Sequence, residues 1–253
     1  MISPYRVYSD LPIFNESRAW IEINTAAIRR NYRALCDFAK KNGTNAAVSG
    51  VIKAEGYGHG AKALTEVLLA EGCRFFCCAS AEEAVTIRKV CDQSAVDAEI
   101  LVLGYTPAAN AAQLLKYRII QNVFSLDYAK ALSDKAQELG GAVAVHVKIN
   151  TGMNRLGFAA NDDDEMDAAV RDIVEMSSLS GICIKGAFTQ DGNGNVTLNR
   201  AGSVVVGEET GTGVRRFLCH RTDYSSKFSF SITAVFVHKV FASATISPYR
   251  GRF

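Results

Sequence analysis

From Ala46 to Phe188 the chain alternates short apolar runs with amphipathic stretches, and few architectures accept that pattern. The apolar runs read as strands at 46–52, 75–79, 99–103, 119–124, 142–150 and 182–188. Helical periodicity fills the intervals at 61–71, 81–91, 107–116, 126–139 and around 164–176. A further helix is expected ahead of them, Ala26 to Lys41, where Ile28, Tyr32, Leu35 and Phe38 recur on one face and Asn24 or Thr25 can cap the start. Strands joined through helices run parallel, and right-handed crossovers place the helices outside the sheet. A length of 253 residues suits a (β/α)8 barrel. The expected fold is therefore α/β, a TIM (β/α)8-type barrel. Only six βα-type strands are legible by Phe188, and the sequence beyond does not read as two ordinary βα units, so the barrel is expected to be incomplete.

Such barrels keep their chemistry at the C-terminal ends of the strands. Two stretches fall there. The first, Val51-Ile52-Lys53-Ala54-Glu55-Gly56-Tyr57-Gly58-His59-Gly60, delivers a lysine from a buried strand into a turn of three glycines spaced by an aromatic and a histidine. An ammonium buried on its apolar side is costly to keep charged, its pKa tends to fall, and the free amine suits Schiff-base chemistry. Alone, Lys53 would read more readily as a strand-end cation reaching water. The second stretch runs Val145-His146-Val147-Lys148-Ile149-Asn150-Thr151-Gly152-Met153-Asn154-Arg155-Leu156-Gly157-Phe158. It sets Lys148 and Arg155 on the same barrel edge, and the planar guanidinium of Arg155 is a permanent donor fork for a carboxylate.

Both stretches resemble the alanine racemase family, over about residues 18–188. In that resemblance the first is the pyridoxal 5'-phosphate signature: Lys53 holds the cofactor as an internal aldimine and Tyr57 contacts its phosphate. The second supplies Lys148 as a carbamylated lysine candidate and Arg155 as the group approaching the cofactor's phenolic oxygen and the substrate carboxylate. Lys53 and Arg155 would then be catalytic, and Lys53, Tyr57 and Arg155 cofactor-binding. The implied reaction converts L-alanine to D-alanine, a cell wall precursor, with serine as a competing substrate and a homodimer as the family's assembly. The pattern departs at Glu55, Gly56, Asn150 and Asn154, and at Gln190, where the family's Phe-Thr-His would place a histidine. It also lacks the family's C-terminal β-domain, which carries the opposing tyrosine. A truncated, inactive racemase is one consequence. A non-catalytic pyridoxal-phosphate-binding barrel of cofactor homeostasis is the alternative.

Composition narrows the remainder. A formal charge of +2, 21% charged and 48% hydrophobic residues describe a globular chain rather than a nucleic-acid binder. No apolar run is long enough to span a bilayer, and Met1 to Asn15 does not read as a secretory leader, so no membrane partner and a cytoplasmic location are expected. Seven cysteines without repeated pair spacing read as reduced structural thiols, and no metal site is expected. Residues 1–17 form an N-terminal arm, 18–188 the barrel, and 189–253 an unmatched basic tail. The tail is expected to arise from a frame slip or truncation near Gln190; translation of the other two reading frames tests this, and failure of both to continue the racemase pattern refutes it.

Overall fold

The computed structural model describes residues 19–41, 47–160 and 162–190, with backbone strand segments at 196–200, 204–206, 215–217, 233–235 and 244–248. Strand β1 (Ala19–Ile23) precedes helix α1 (Thr25–Lys41). There follow β2 (Gly50–Val51), a single turn α2 (Lys53–Tyr57), α3 (Ala61–Ala70), β3 (Phe75–Cys78), α4 (Ala81–Gln93), β4 (Glu99–Val102) and α5 (Ala111–Lys116). The series continues through β5 (Ile120–Val123), α6 (Leu126–Glu138), β6 (Val143–Asn150), β7 (Phe158–Ala159), α7 (Asp163–Met176) and β8 (Ile182–Gln190).

Local chemistry marks the helix starts. Asn24 Oδ1 accepts from the Ala27 amide at 2.9 Å, so Asn24 caps α1, whose buried face is Ala27, Ile28, Tyr32 and Ala39. Ser80, Ser125 and Asp162 cap α4, α6 and α7, each accepting from the amide three residues on.

Strands β2, β3, β4, β5, β6 and β8 pair in that order, all parallel, as the alternation predicts. The sheet also curls. Phe75 on β3 and His146 on β6 are three strand steps apart, about 14 Å across a flat sheet, yet their ring centroids lie 5.9 Å apart. Residues alternate accordingly along β6. Val143, Val145, Val147 and Ile149 pack outward into the main core, leaving Ala144, His146 and Lys148 to face inward. A second apolar cluster, Val51, Cys77, Leu101, Ile120 and Phe188, fills the inner side.

Closure ceases at β8. A strand β9 (Val196–Arg200) returns antiparallel along it, with Gly186 opposite Arg200, and β12 (Thr233–Val235) pairs antiparallel with β9. Strands β10 (Val204–Val206) and β11 (Arg215–Phe217) form a separate hairpin. Within 228–241 only β12 falls among the described residues; the rest of that stretch, like residues 1–17, lies outside them.

Two expectations change. The strand expected over 46–52 narrows to β2, with Val48 in an isolated bridge. The helix expected over 107–116 divides into a 3-10 turn (Ala108–Asn110) and α5, because Asn110 takes a bridging conformation (φ −90°, ψ 12°). Strand β1 pairs antiparallel with β13 (Ala244–Pro248), Ile21 opposite Ile246, which covers an otherwise open edge. Cys73, Cys77, Cys78 and Cys91 are buried free thiols, as expected. Among the described residues, no helix is long and apolar enough to cross a membrane.

Candidate active site

Lys53 leaves β2 at the C-terminal edge of the parallel sheet. The backbone there winds with the wrong hand for L-residues. Ala54 (φ 51°, ψ 53°), Glu55 (φ 53°, ψ 43°), Gly56 (φ 62°, ψ 39°) and Tyr57 (φ 55°) are all left-handed. Gly56 is required on two grounds, since a Cβ there would also stand 2.4 Å from Leu64 Cδ1. Ala54, Glu55 and Tyr57 have no such exemption, and left-handed conformation costs each about 1–2 kcal/mol. Strain of that kind persists only where the surroundings impose it, and it concentrates at functional sites.

The surroundings here are identifiable. The Glu83 carboxylate accepts from the Ala54 amide through Oε1 and from the Ala79 amide through Oε2, both at 2.7 Å. Glu55 Oε1 accepts from the Ala61 amide at 2.9 Å, and the Gly60 amide donates back to the Glu55 carbonyl at 2.9 Å. His59 Nδ1 lies 3.1 Å from the carbonyls of Gly56 and Tyr57, so it carries the proton and donates to them. The turn holds Lys53 half-buried, with Nζ 5.9 Å from the centroid of the Tyr57 ring. Burial, reinforced by the charge of Glu83, raises the Tyr57 phenol pKa and keeps its proton in place.

On β6, Lys148 is only 5% exposed and its ammonium stands 4.8 Å above the Phe188 ring. Burial lowers its pKa to about 8, helped by the charge of Arg155. Among the described residues, no carboxylate forms an ion pair with Lys148.

Arg155 is exposed, on a loop folded back against β6. Asn150 Oδ1 accepts from the amides of Asn154 (2.9 Å) and Gly152 (3.3 Å), and Asn150 Nδ2 donates to Asn154 Oδ1 at 2.9 Å. Gly157 (φ 128°) closes the loop where a Cβ would stand 2.8 Å from the Asn150 amide nitrogen. Asn150 and Asn154, two of the departures noted in the sequence, are thus the fastening that keeps Arg155 beside Lys148. Gln190 ends β8 in register with Asn150.

The four predicted residues come together as two pairs, Lys53 with Tyr57 and Lys148 with Arg155, on one edge of the curled sheet. A primary amine in a fixed turn, a protonated phenol beside it, and two cations without an ion-paired carboxylate among the described residues suit an anionic carbonyl cofactor with an acidic substrate. Pyridoxal phosphate fits that donor set. Two residues escape a reading by motif. Glu83 is hidden because Ser80 and Glu83 have the spacing of a local capping box. His146 lies two residues before Lys148 on the same inward face; it is 1% exposed, and neither ring nitrogen has a hydrogen-bond partner. Burial lowers its pKa to about 4. Strand parity with Lys148 was the signal available for it.

The chain is similar to proteins of one family. The family model for the alanine racemase N-terminal domain matches residues 23–197. Alanine racemase 2 of Caldanaerobacter subterraneus subsp. tengcongensis is 35% identical over 178 residues, covering 70% of this chain and 43% of its own length. The structure of alanine racemase from Clostridium difficile 630 superposes with a TM-score of 0.61 at 32% identity, covering 69% of this chain and 43% of that one. A histidine racemase from Leuconostoc mesenteroides subsp. sake shares the fold, with a TM-score of 0.59 at 22% identity. The chain spans less than half the length of the relatives it matches.

Proposed function

Because the chain belongs to the alanine racemase family, we propose that it binds pyridoxal 5'-phosphate through Lys53 and serves the racemisation of a small amino acid, alanine first and serine next. The observation that carries this reading is the strained Lys53–Tyr57 turn sharing one sheet edge with the Lys148–Arg155 pair, which has no ion-paired carboxylate among the described residues. When bound, the cofactor supplies an electrophilic carbonyl carbon and a ring that disperses carbanion charge. The protein supplies position and proton transfer. Lys53 Nζ would hold the cofactor, and its amine would take or return the α-proton of the substrate on one face. Tyr57, its phenol kept protonated, donates toward the phosphate. Arg155 receives the substrate carboxylate in its fork.

Racemisation also needs a proton donor on the opposite face, and the family's tyrosine for that role belongs to a domain with no counterpart in residues 18–188. Cofactor binding therefore follows more directly from this chain than turnover. Titrating the protein with pyridoxal phosphate should develop the visible absorbance of a lysine-held cofactor. Borohydride reduction followed by peptide mass mapping should place it on Lys53, and Lys53→Ala should abolish it. Wild-type protein without that absorbance, or a variant that retains it, refutes the assignment. Racemisation assays on alanine and serine then separate an enzyme from a cofactor carrier.

Lys148 has a second role in this reading. With a pKa of about 8, roughly a tenth of the amine is neutral at pH 7, enough to react with dissolved carbon dioxide. The nitrogen bonds to carbon, a proton is released, and a carbamate anion replaces the cation, turning repulsion from Arg155 into attraction. In 13C-bicarbonate a single carbamate resonance is expected, absent from Lys148→Met. Its absence from the wild type refutes carbamylation.

A further inference from the structure

We propose that Glu83 is a positioning residue for Lys53, gripping the backbone of the left-handed turn from the end of the neighbouring strand. This rests on the assignment of Lys53 as the cofactor lysine.

Helix α4 begins Ser80-Ala81-Glu82-Glu83, and Ser80 Oγ accepts from the Glu83 amide at 3.4 Å. In an ordinary capping box the glutamate would return the favour, accepting from the amide of the capping serine. Here it does not. The carboxylate passes its own cap and accepts from Ala79, one residue before it, and from Ala54, the first residue after Lys53. Among the described residues no lysine or arginine forms an ion pair with Glu83, so its two oxygens are committed to these two amides. Charge-assisted bonds of 2.7 Å are at the short end for nitrogen donors and among the stronger available.

The placement matters more than the strength. Ala54 is the first left-handed residue after Lys53, so its amide is where the chain commits to the strained hand. Ala79 follows β3, the neighbour of β2, and its carbonyl lies where a Cβ on Gly104 would come within 2.4 Å. Gly104 in turn accepts from Gln121 Nε2 at 2.8 Å. The clamp thus ties Lys53 into a band of backbone contacts crossing β2, β3, β4 and β5 at the catalytic edge. The same negative charge adds to burial in raising the Tyr57 phenol pKa. One carboxylate therefore grips the backbone at the Ala54 end of the turn and acts on the Tyr57 phenol through its charge.

The discriminating variant is Glu83→Gln. It keeps shape and one acceptor but turns an NH2 donor toward a backbone N–H, so one of the two bonds becomes a clash of donors. Glu83→Asp keeps both acceptors on a stem one methylene shorter. Without cofactor, amide exchange followed by mass spectrometry should accelerate at least tenfold over residues 53–60 in Glu83→Gln, with the later turns of α4 unchanged. The dissociation constant for pyridoxal phosphate, read from the visible absorbance of the folded protein, should rise tenfold or more, and Glu83→Asp should recover part of both losses. Unchanged exchange over 53–60 overturns the clamp. Faster exchange with unaltered cofactor affinity reduces Glu83 to a helix cap and overturns its positioning role. Wild-type protein that binds no cofactor sinks the Lys53 assignment itself, and the inference built on it.

Discussion

Between pH 6.5 and 4 the protein is expected to lose about 3 kcal/mol of stability through one side chain, His146. In the unfolded chain this imidazole takes its proton near pH 6.5; in the folded chain burial delays uptake to about pH 4. Over that interval the unfolded state holds one more proton than the folded state, so stability falls as pH falls. Above pH 6.5 neither state is protonated there, and below 4 both are, so the loss is confined to the window. At pH 4.5 about 2.5 kcal/mol of it should already be gone. Carboxylates contribute their own acid dependence, and the contrast with a variant isolates the histidine. Urea unfolding at pH 7 and 4.5 should show His146→Gln losing about 2.5 kcal/mol less than wild type between the two. Equal losses would mean that His146 is solvated in the folded state. The neutral state also matters to the site, because a protonated ring here would add a third cation beside Lys148 and Arg155.

Most helices and parallel strands of residues 25–190 were legible because they are written in short-range pattern: apolar runs for the strands, helical spacing on α1, and Asn24 at its cap. The active turn was legible only in part. Its three glycines announced tight backbone, yet the residues that wind left-handed include Ala54, Glu55 and Tyr57, whose local preference runs the other way. A tertiary contact from Glu83, some 30 residues downstream, overrules that preference, and short-range pattern does not record it. Lys148 and Arg155 were placed at the C-terminal edge because their stretch ends a strand, and paired through the family resemblance. What held Arg155 there was not: Asn150 and Asn154 looked like departures from a pattern and proved to be the loop's cross-link. The antiparallel return of β9 along β8 was equally hidden, because the residues after Gln190 carry no strong period.

Replacing Gly181 with alanine is expected to destabilise the fold by about 3 kcal/mol or more, the upper range for forcing a methyl into packed structure. Gly181 stands immediately before β8, and the Cβ it lacks would lie 2.0 Å from the Ser133 carbonyl oxygen, 2.7 Å from its carbon and 2.8 Å from its Cα. These are backbone atoms of α6, so no rotamer change relieves the overlap; the helix must move bodily. Such a shift would also stretch the bond from the Gly181 amide to Ser133 Oγ, 3.1 Å, and the pairing of the Val143 amide with the Gly181 carbonyl, 2.9 Å, that begins the β6–β8 register. Loss at the start of that register propagates along β6 toward Lys148, whose register partner is Phe188, the ring beneath its ammonium. Gly181→Ala should therefore lower the urea midpoint and, in the fraction that stays folded, perturb the Lys148 environment. Ser133→Gly in the same background should not rescue it, since the obstructing atoms belong to the backbone. A variant with a wild-type midpoint would show that α6 docks on β8 with more room than this contact allows.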